Sequence, residues 1–256
     1  MEALTAISLP PELSVLATGA IALIARLGAM MFFLPGIGEL GVPVRVRLIL
    51  ILTIAAAMFP MVVPARTEII ASMSLIELMA FESLIGFALG FSFRVLVYAL
   101  TITGTIVAQS INLSQILSPT LAAEANTSVS MLLVMAGGAL FVTFDWHTAS
   151  IGLLYRSYEI FPLGELPATD ALAEWALSRT AAAFSLAVAL ALPFLLISFL
   201  YYLVLGLINQ AMPQMMVTFI GVPANVLAGL VILFLALGTM LVVWTDAVRE
   251  VFAGFW

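Results

Sequence analysis

Residues 101–130 read TITGTIVAQSINLSQILSPTLAAEANTSVS, and this stretch differs from the rest of the chain. Nearly half of its residues are Ser, Thr, Asn or Gln, and Glu124 is its only charged residue. Such a segment is too polar for a helix that faces lipid and carries too few charges for an ordinary solvated loop. Irregular backbone in a membrane protein is tolerated only where protein buries it or where it lines a water-filled cavity. The stretch is therefore a candidate pore, gate or plug element, and a surface loop rich in Ser and Thr is the alternative.

The composition around this stretch is that of an integral membrane protein. The chain has 256 residues, of which 64% are hydrophobic and 9% are charged, whereas soluble domains contain about 25% charged residues. Its length suits a single unit of about five to seven membrane spans. A net charge of −6 argues against a nucleic acid as partner. The absence of cysteine excludes disulfides and thiolate metal sites.

Apolar runs separated by Gly and Pro predict an all-α fold of helical hairpins. The Gly/Pro-rich residues 35–47 break the first run from the second, which predicts a tight hairpin between two helices. Asp170 is well placed to cap a further helix that starts at Ala171, continues to Ile208 and bends at Pro193. Residues 156–179, which contain four acidic residues, are predicted to form an acidic loop. The other apolar runs are residues 13–34, 48–63, 75–100, 129–155 and 224–244.

Four charged residues in or beside these apolar runs need partners. A charge deep in a membrane helix costs about 2.5–3.5 kcal/mol and usually faces protein or water. Glu82 and Arg94 are too far apart on one helix to pair with each other, so each requires a partner from another helix or another chain. The inter-subunit contact candidates are Arg26, Glu77, Glu82 and Arg94.

Gly86 and Gly90 form a small-xxx-small pattern in the third run. Small residues at this spacing let two helix backbones approach closely. Thr101 and Thr105 lie on one side if this helix continues towards residue 111, and they are interpreted as an inter-helix packing face. Residues 126–128 are interpreted as the cap of the next helix.

The single histidine, His147, follows Asp145 in the sequence FDWH. One His with no cysteine and no HExxH spacing argues against a zinc enzyme. A proton relay is possible in principle, but a helix end or a re-entrant turn is the favoured interpretation. The chain contains no P-loop, GxSxG motif or cofactor fingerprint. The chain is therefore predicted to be no enzyme and to need no cofactor.

Four stretches in order make the sequence resemble the FliR family of flagellar biosynthetic proteins and, more broadly, the corresponding injectisome subunit SctT. They are VPVRVRLILILTIAAAMFP; LIGFALGF with GTIVAQSINLS; FVTFDWH with FPLGE; and ALPFLLISF with GLINQAMPQMMVTFIGVP. Asp145-Trp146 stands where Asn-Gly is common in that family. The motif residues are Pro35, Gly36, Pro43, Arg45, Arg47, Gly86, Gly90, Asn209, Pro213, Gln214, Gly221 and Pro223.

The resemblance implies a subunit of the type III protein export gate, built from long bent helical hairpins in a cone-shaped helical assembly. Five FliP-like and four FliQ-like chains are expected to join one chain of this kind, next to FlhB-like and FlhA-like components. The expected site is the inner membrane and the flagellar basal body, with much of the gate at or above the periplasmic side. Unfolded flagellar proteins are the expected cargo. The whole chain, residues 1–256, is expected to form one export-gate domain.

The resemblance also implies a plug loop, and residues 109–123 match its position; we name them the plug candidate. Its assigned residues are Gln109, Ser110, Asn112, Leu113, Ser114, Gln115, Ile116, Leu117, Ser118 and Pro119. Two other functions remain open from the sequence. A proton-coupled secondary transporter would use Glu77, Glu82 and Asp145, and an intramembrane enzyme would use Asp145 and His147.

Overall fold

The computed structural model describes residues 10–38, 41–111, 122–165, 169–211 and 217–254. Every regular element in these ranges is helical, which confirms the all-α prediction. The long helices are α1 (Pro11–Phe33), α2 (Val44–Val62), α4 (Leu75–Ser110), α5 (Ala122–Thr143), α6 (Trp146–Ile160), α7 (Thr169–Ala211) and α8 (Val217–Ala253). A 3₁₀ turn at Pro64–Arg66 and the short helix α3 (Thr67–Ser72) connect α2 to α4.

Five helices in the described ranges are long and apolar enough to cross a membrane. They correspond to α1, α2, α4, residues 172–211 of α7 and residues 223–253 of α8. Helices α5 and α6 give a sixth candidate as a broken span, bent by 69° between them. This count agrees with the number of spans expected from composition.

The chain forms two compact units. The first contains residues up to 94 together with residues 141–177, and the second contains residues 95–140 and 178–254. The boundaries fall within helices α4, α5 and α7. The expectation that residues 1–256 form one export-gate domain stays a prediction.

In the first unit, α1 and α2 form the predicted hairpin. Gly36 has a φ of +83°, a conformation that glycine adopts without a steric cost. Beside this turn, Arg47 Nε donates a hydrogen bond to the carbonyl of Ile37 at 3.1 Å. At the other end of the pair, a Cβ added to Gly19 of α1 would lie 2.5 Å from Val63. The two helices therefore run antiparallel.

Helix α4 packs closely on α1 through the two glycines of the small-xxx-small pattern. A Cβ on Gly86 would overlap the carbonyl oxygen of Arg26, and one on Gly90 would lie 2.7 Å from the carbonyl oxygen of Met30. The prediction of a close backbone approach is therefore confirmed. Around this crossing the first unit buries an apolar core that includes Leu23, Leu27, Met30, Leu78, Ile85 and Phe93.

Three helix starts differ from the sequence predictions. Helix α5 begins at Ala122 rather than after residues 126–128, because the preceding Ala-Ala-Glu-Ala residues are strong helix formers. Helix α7 begins at Thr169, so Asp170 lies in its first turn instead of capping it. The predicted acidic loop at 156–179 is therefore too long, because residues 156–160 belong to α6 and residues 169–179 belong to α7. Helix α8 begins at Val217 and includes Pro223, which the sequence placed before the helix. Proline is tolerated inside membrane helices, where neighbouring groups satisfy the freed carbonyl.

Helix α7 is the longest element, with 43 residues. At 1.5 Å per residue it is about 65 Å long, roughly twice the thickness of a bilayer's hydrocarbon core. It continues through Pro193 as one helix. Its length agrees with the long helices that the family resemblance implies.

Candidate functional site

The first unit contains a buried ion pair between Arg26 of α1 and Glu82 of α4. Both side chains are fully buried. Arg26 Nε donates to Glu82 Oε2 at 2.6 Å, and Nη2 donates to Oε1 at 3.0 Å. Two parallel charge-assisted hydrogen bonds of this kind fix the relative orientation of the two side chains.

The remaining polar groups of the pair are satisfied by α6 and the turn that follows it. Arg26 Nη1 donates to Ser157 Oγ at 3.1 Å, and Nη2 donates to the Phe161 carbonyl at 3.0 Å. Glu82 Oε1 also accepts a hydrogen bond from the Gly164 backbone at 3.1 Å. Residues 161–165 are the FPLGE motif, and Gly164 can take part because its φ is +87°.

Tyr158 completes this cluster from one side. The guanidinium carbon of Arg26 lies 3.8 Å from the centre of the Tyr158 ring, which is a cation–π contact. We call Arg26, Glu82, Ser157, Tyr158, Phe161 and Gly164 the charge cluster. It joins α1, α4, α6 and the turn after α6 through a single guanidinium group.

The charge cluster supplies the partners that the sequence analysis required for Arg26 and Glu82. Each was expected to need a partner from another helix or another chain, and another helix of the same chain supplies it. An inter-subunit contact is therefore unnecessary to satisfy either charge. The separation of 56 residues between the two explains why the sequence alone did not identify the pair.

Glu77 has a local role at the start of α4. Its carboxylate accepts hydrogen bonds from Ser74 N at 3.2 Å and Ser74 Oγ at 2.8 Å, and its own backbone N–H donates to Ser74 Oγ at 3.3 Å. This reciprocal arrangement is a capping box. The Ser-x-x-Glu spacing was visible in the sequence and was missed. Arg94, the fourth charge candidate, is half-buried.

Asp145 forms the bend between α5 and α6. Its φ is +56°, which makes it the one residue other than glycine with a left-handed backbone in the described ranges. Its carbonyl accepts the first hydrogen bonds of α6, from Thr148 and Ala149. Asp and Asn tolerate this conformation better than most residues. The predicted helix end at FDWH is confirmed, and its cause is the backbone at Asp145.

His147 lies in the first turn of α6, half-buried, and its Nδ1 has no hydrogen-bond partner in the structure. Trp146 packs between Phe141 and Phe144, with ring centres 5.9 Å and 5.1 Å away. In the described ranges, no group of His, Asp and Glu side chains is arranged to hold a metal ion. Asp145 and His147 are therefore interpreted as structural residues of the bend between α5 and α6.

In the second unit, α4 packs on α5 at Thr101 and Thr105. Ser130 Oγ donates to the Thr101 carbonyl at 2.9 Å and lies 3.1 Å from Thr105 Oγ1. A Cβ on Gly104 would overlap the backbone of Ser130. The interpretation of Thr101 and Thr105 as an inter-helix packing face is confirmed.

Two more helices hold the same part of α4. Thr103 Oγ1 donates to the Ala187 carbonyl of α7 at 3.2 Å. Trp244 of α8, which is almost fully buried, donates from Nε1 to the Leu96 carbonyl at 2.9 Å. The second half of α4, which leads into the plug candidate, is therefore held by α5, α7 and α8.

Most of the plug candidate lies outside the described residues. Gln109 and Ser110 form the last turn of α4, where Gln109 is exposed and Ser110 is buried. Ala122 and Ala123 already belong to α5. The calls that fall outside the described residues are Asn112, Leu113, Ser114, Gln115, Ile116, Leu117, Ser118 and Pro119.

Apart from Gly86 and Gly90 inside α4, the described family-motif residues fall in turns or near helix ends. Pro35 is buried in the α1–α2 turn and Pro43 immediately precedes α2, in which Arg45 is exposed. Asn209 lies exposed near the end of α7, and Pro213 and Gln214 are outside the described residues. Gly221 of α8 faces α7, because a Cβ there would lie 2.6 Å from the Tyr201 hydroxyl.

The family model described as "Bacterial export proteins, family 1" matches residues 17–251 of the chain. The chain belongs to this family. The match includes both units and all the residues of the charge cluster, so the cluster and the hydroxyl packing face are features of a bacterial export protein.

Curated relatives in this export family carry the name flagellar biosynthetic protein FliR. The protein from Caulobacter vibrioides is 35% identical over 230 residues, which are 88% of this chain and 91% of the relative. The Escherichia coli protein is 30% identical over 80% of this chain and 78% of its own length. The Aquifex aeolicus protein is 27% identical over 90% and 89%. The resemblance identified from the four motifs is confirmed.

Proposed function

We propose that the chain is a non-enzymatic subunit of the bacterial flagellar type III export gate. In this proposal it helps to form and close the channel through which unfolded flagellar proteins pass. The observation that carries the proposal is the match to an export family over residues 17–251, with FliR proteins among its relatives. An injectisome subunit is the alternative within the same family, and the flagellar names of the relatives favour the flagellar system.

Exposed apolar side chains support an assembled state in the inner membrane. The second half of α7 exposes large apolar residues over most of its surface, apart from the buried face with Ala191, Phe194 and Leu205, and α8 exposes others. Among them are Leu196, Phe199, Leu200, Leu203, Leu207, Phe234 and Leu235. Exposed apolar area of this extent is expected to contact lipid or other apolar helices. We assign this apolar surface to contacts with FliP-like and FliQ-like partners, of which five and four join each chain of this kind. Part of the gate then lies on the periplasmic side, with FlhB-like and FlhA-like components nearby.

The environments of the acidic residues argue against a proton-coupled transporter. Glu77 caps a helix, Glu82 is held by Arg26, and Asp145 shapes a bend. A carboxylate that carries protons must exchange them with water or substrate, and Glu82 is fully enclosed by its partners. Vesicles that contain the chain are expected to show no proton-coupled solute uptake. An uptake that is present and is abolished by Glu77→Gln would favour the transporter instead.

Deleting residues 111–117 tests the closing role. We expect the deletion to make the assembled gate leaky to ions in membranes that hold normal amounts of the complex. Gly238→Ala is a matched control, since a Cβ there meets nothing within 4 Å. An unchanged conductance after the deletion would place the closure elsewhere.

Co-expression tests the assembly role. The chain is expected to accumulate and purify well only together with its FliP-like and FliQ-like partners. A stable monomer that exports substrate by itself would overturn this part of the proposal.

A further inference from the structure

Ile111, which directly follows the last residue of α4 and lies within the plug candidate, is seated on α8. Its side chain is 4% exposed. A Cβ added to Gly229 would lie 2.6 Å from the Cβ of Ile111 and would overlap its Cγ2. Ile111 can occupy this place only because residue 229 has no side chain.

One helical turn before Gly229, Asn225 contacts the preceding residue of α4. Asn225 is 7% exposed, and its Nδ2 lies 3.5 Å from the Ser110 carbonyl. The last four carbonyls of a helix accept no hydrogen bond from within the helix, so they need donors from elsewhere. Positions 225 and 229 lie on the same face of α8, since residues four apart in a helix are neighbours. We call Ser110, Ile111, Asn225 and Gly229 the anchor.

The anchor adds a fixed end to a helix that is already held along its length. Ser130 of α5 contacts Thr101 and Thr105, and Ala187 of α7 contacts Thr103. Each of these contacts lies within the second unit. With the anchor, the helix is held up to its last described residue.

We propose that Asn225 and Gly229 are positioning residues that fix the point at which the chain leaves α4, and that Ile111 stays seated on α8 while the gate conducts substrate. This inference rests on the proposed function, because it concerns the point at which the plug candidate joins α4. Neither residue needs to touch substrate. Their effect is to fix the position in space at which the chain leaves α4.

A disulfide tests whether the contact exists and whether it persists. The chain has no natural cysteine, so Ile111→Cys with Gly229→Cys gives a single possible intrachain bond in the assembled gate. A small shift would bring the two Cβ atoms to the separation of a disulfide, about 3.8 Å. Ile111→Cys with Gly238→Cys is the control, because residue 238 lies about 13 Å further along the helix.

We expect mild oxidation to cross-link the first pair and not the control pair, and we expect cross-linked gates to continue exporting flagellar substrate. Failure of the first pair to cross-link would show that the contact does not form. Export that stops on oxidation and returns on reduction would show that Ile111 leaves α8 when the gate opens. Either result overturns the inference.

Ion conductance tests the effect on the closed state. Gly229→Ala should raise the leak of assembled gates about tenfold, because an added methyl in a filled contact commonly shifts an equilibrium by this much. Gly238→Ala should not. If Gly229→Ala prevents assembly, Asn225→Ala takes its place in this test. It removes a hydrogen-bond donor without adding atoms, and it should also raise the ion leak.

The outcomes separate this inference from the proposed function. If deleting residues 111–117 causes a leak but Gly229→Ala and Asn225→Ala assemble and remain tight, the positioning role is wrong and the closing role stands. If the deletion causes no leak, the closing role fails, and the cross-linking result alone decides whether the end of α4 is fixed on α8.

Discussion

Arg26 and Glu82 lie in side-by-side contact between α1 and α4, with a shortest N–O distance of 2.6 Å and no exposure of either side chain. Burying two charges is costly, and their mutual attraction offsets that cost only when the other hydrogen-bonding atoms are also satisfied. Ser157, Phe161 and Gly164 provide those bonds. The pair therefore links four chain segments of the first unit.

Replacing one member of this pair should strongly destabilise the gate. Arg26→Leu or Glu82→Leu leaves the other charge buried without its partner, which costs about 3–5 kcal/mol. We expect poor accumulation in membranes and a lower melting temperature of the purified gate complex. The double variant Arg26→Met with Glu82→Leu should recover much of the loss, since an apolar pair of similar volume leaves no buried charge.

The exposed pair Arg249 and Asp246 is the matched control, with an N–O distance of 2.8 Å and both side chains more than half exposed. Arg249→Ala should cost less than about 1 kcal/mol, as expected for a solvated ion pair. Equal losses for Arg26→Leu and Arg249→Ala would contradict the importance assigned to the charge cluster.

The two glycines at positions 28 and 86 should respond oppositely to alanine. Gly86→Ala places a methyl group against the Arg26 carbonyl and should cost about 1–3 kcal/mol or more, because the helix backbones must separate. Gly28→Ala meets nothing within 4 Å and should stabilise α1 by about 0.5–1 kcal/mol. Thermal unfolding of the purified complex distinguishes them, and a stabilising Gly86→Ala would refute the close approach of α1 and α4.

The left-handed backbone of Asp145 should favour glycine. Asp145→Gly is expected to raise the unfolding free energy by about 1 kcal/mol, because it removes the steric cost of a φ of +56°. Asp145→Val should lower it by a similar amount or more, since β-branched residues are poorly suited to this conformation. Both variants keep the apolar packing of Trp146. If Val and Gly have the same effect on the melting temperature, the bend does not depend on the conformation of residue 145.

The Ser130 hydroxyl group should contribute modestly to the unfolding free energy. Ser130→Ala removes hydrogen bonds to Thr101 and Thr105 and should cost about 1 kcal/mol. Ser198→Ala is its control, because the Ser198 hydroxyl is exposed and bonds only to the Leu195 carbonyl of its own helix. Chemical denaturation of the purified complex gives the difference. A larger loss for Ser198→Ala would argue against the packing face between α4 and α5.

The helices were predictable because their apolar runs are long and Gly and Pro mark most of the breaks. The α1–α2 hairpin and the glycine-mediated packing followed from local sequence features. The start of α5 was missed because a polar Asn-Thr-Ser sequence resembled a cap, while the Ala-rich residues before it continued the helix. Local signals compete at such points, and their order in the sequence does not reveal which one prevails.

The partners of the buried charges could not be predicted from spacing. Arg26 is separated from Ser157 by 131 residues and from Phe161 by 135. The requirement for a partner could be stated, but its identity depends on how α1, α4 and α6 pack. The same holds for Asn225 and Gly229, which have no local signal that relates them to Ser110 and Ile111.

The distance along the chain between Arg26 and Glu82 has a consequence for how the protein is made. Bacterial synthesis proceeds at about 5–20 residues per second, so Glu82 follows Arg26 out of the ribosome by about 3–11 s. Until then α1 carries a charge for which the finished protein's partner does not yet exist. During that interval α1 is expected to insert less readily, since an unpaired Arg at the centre of a membrane helix costs about 2.5–3.5 kcal/mol.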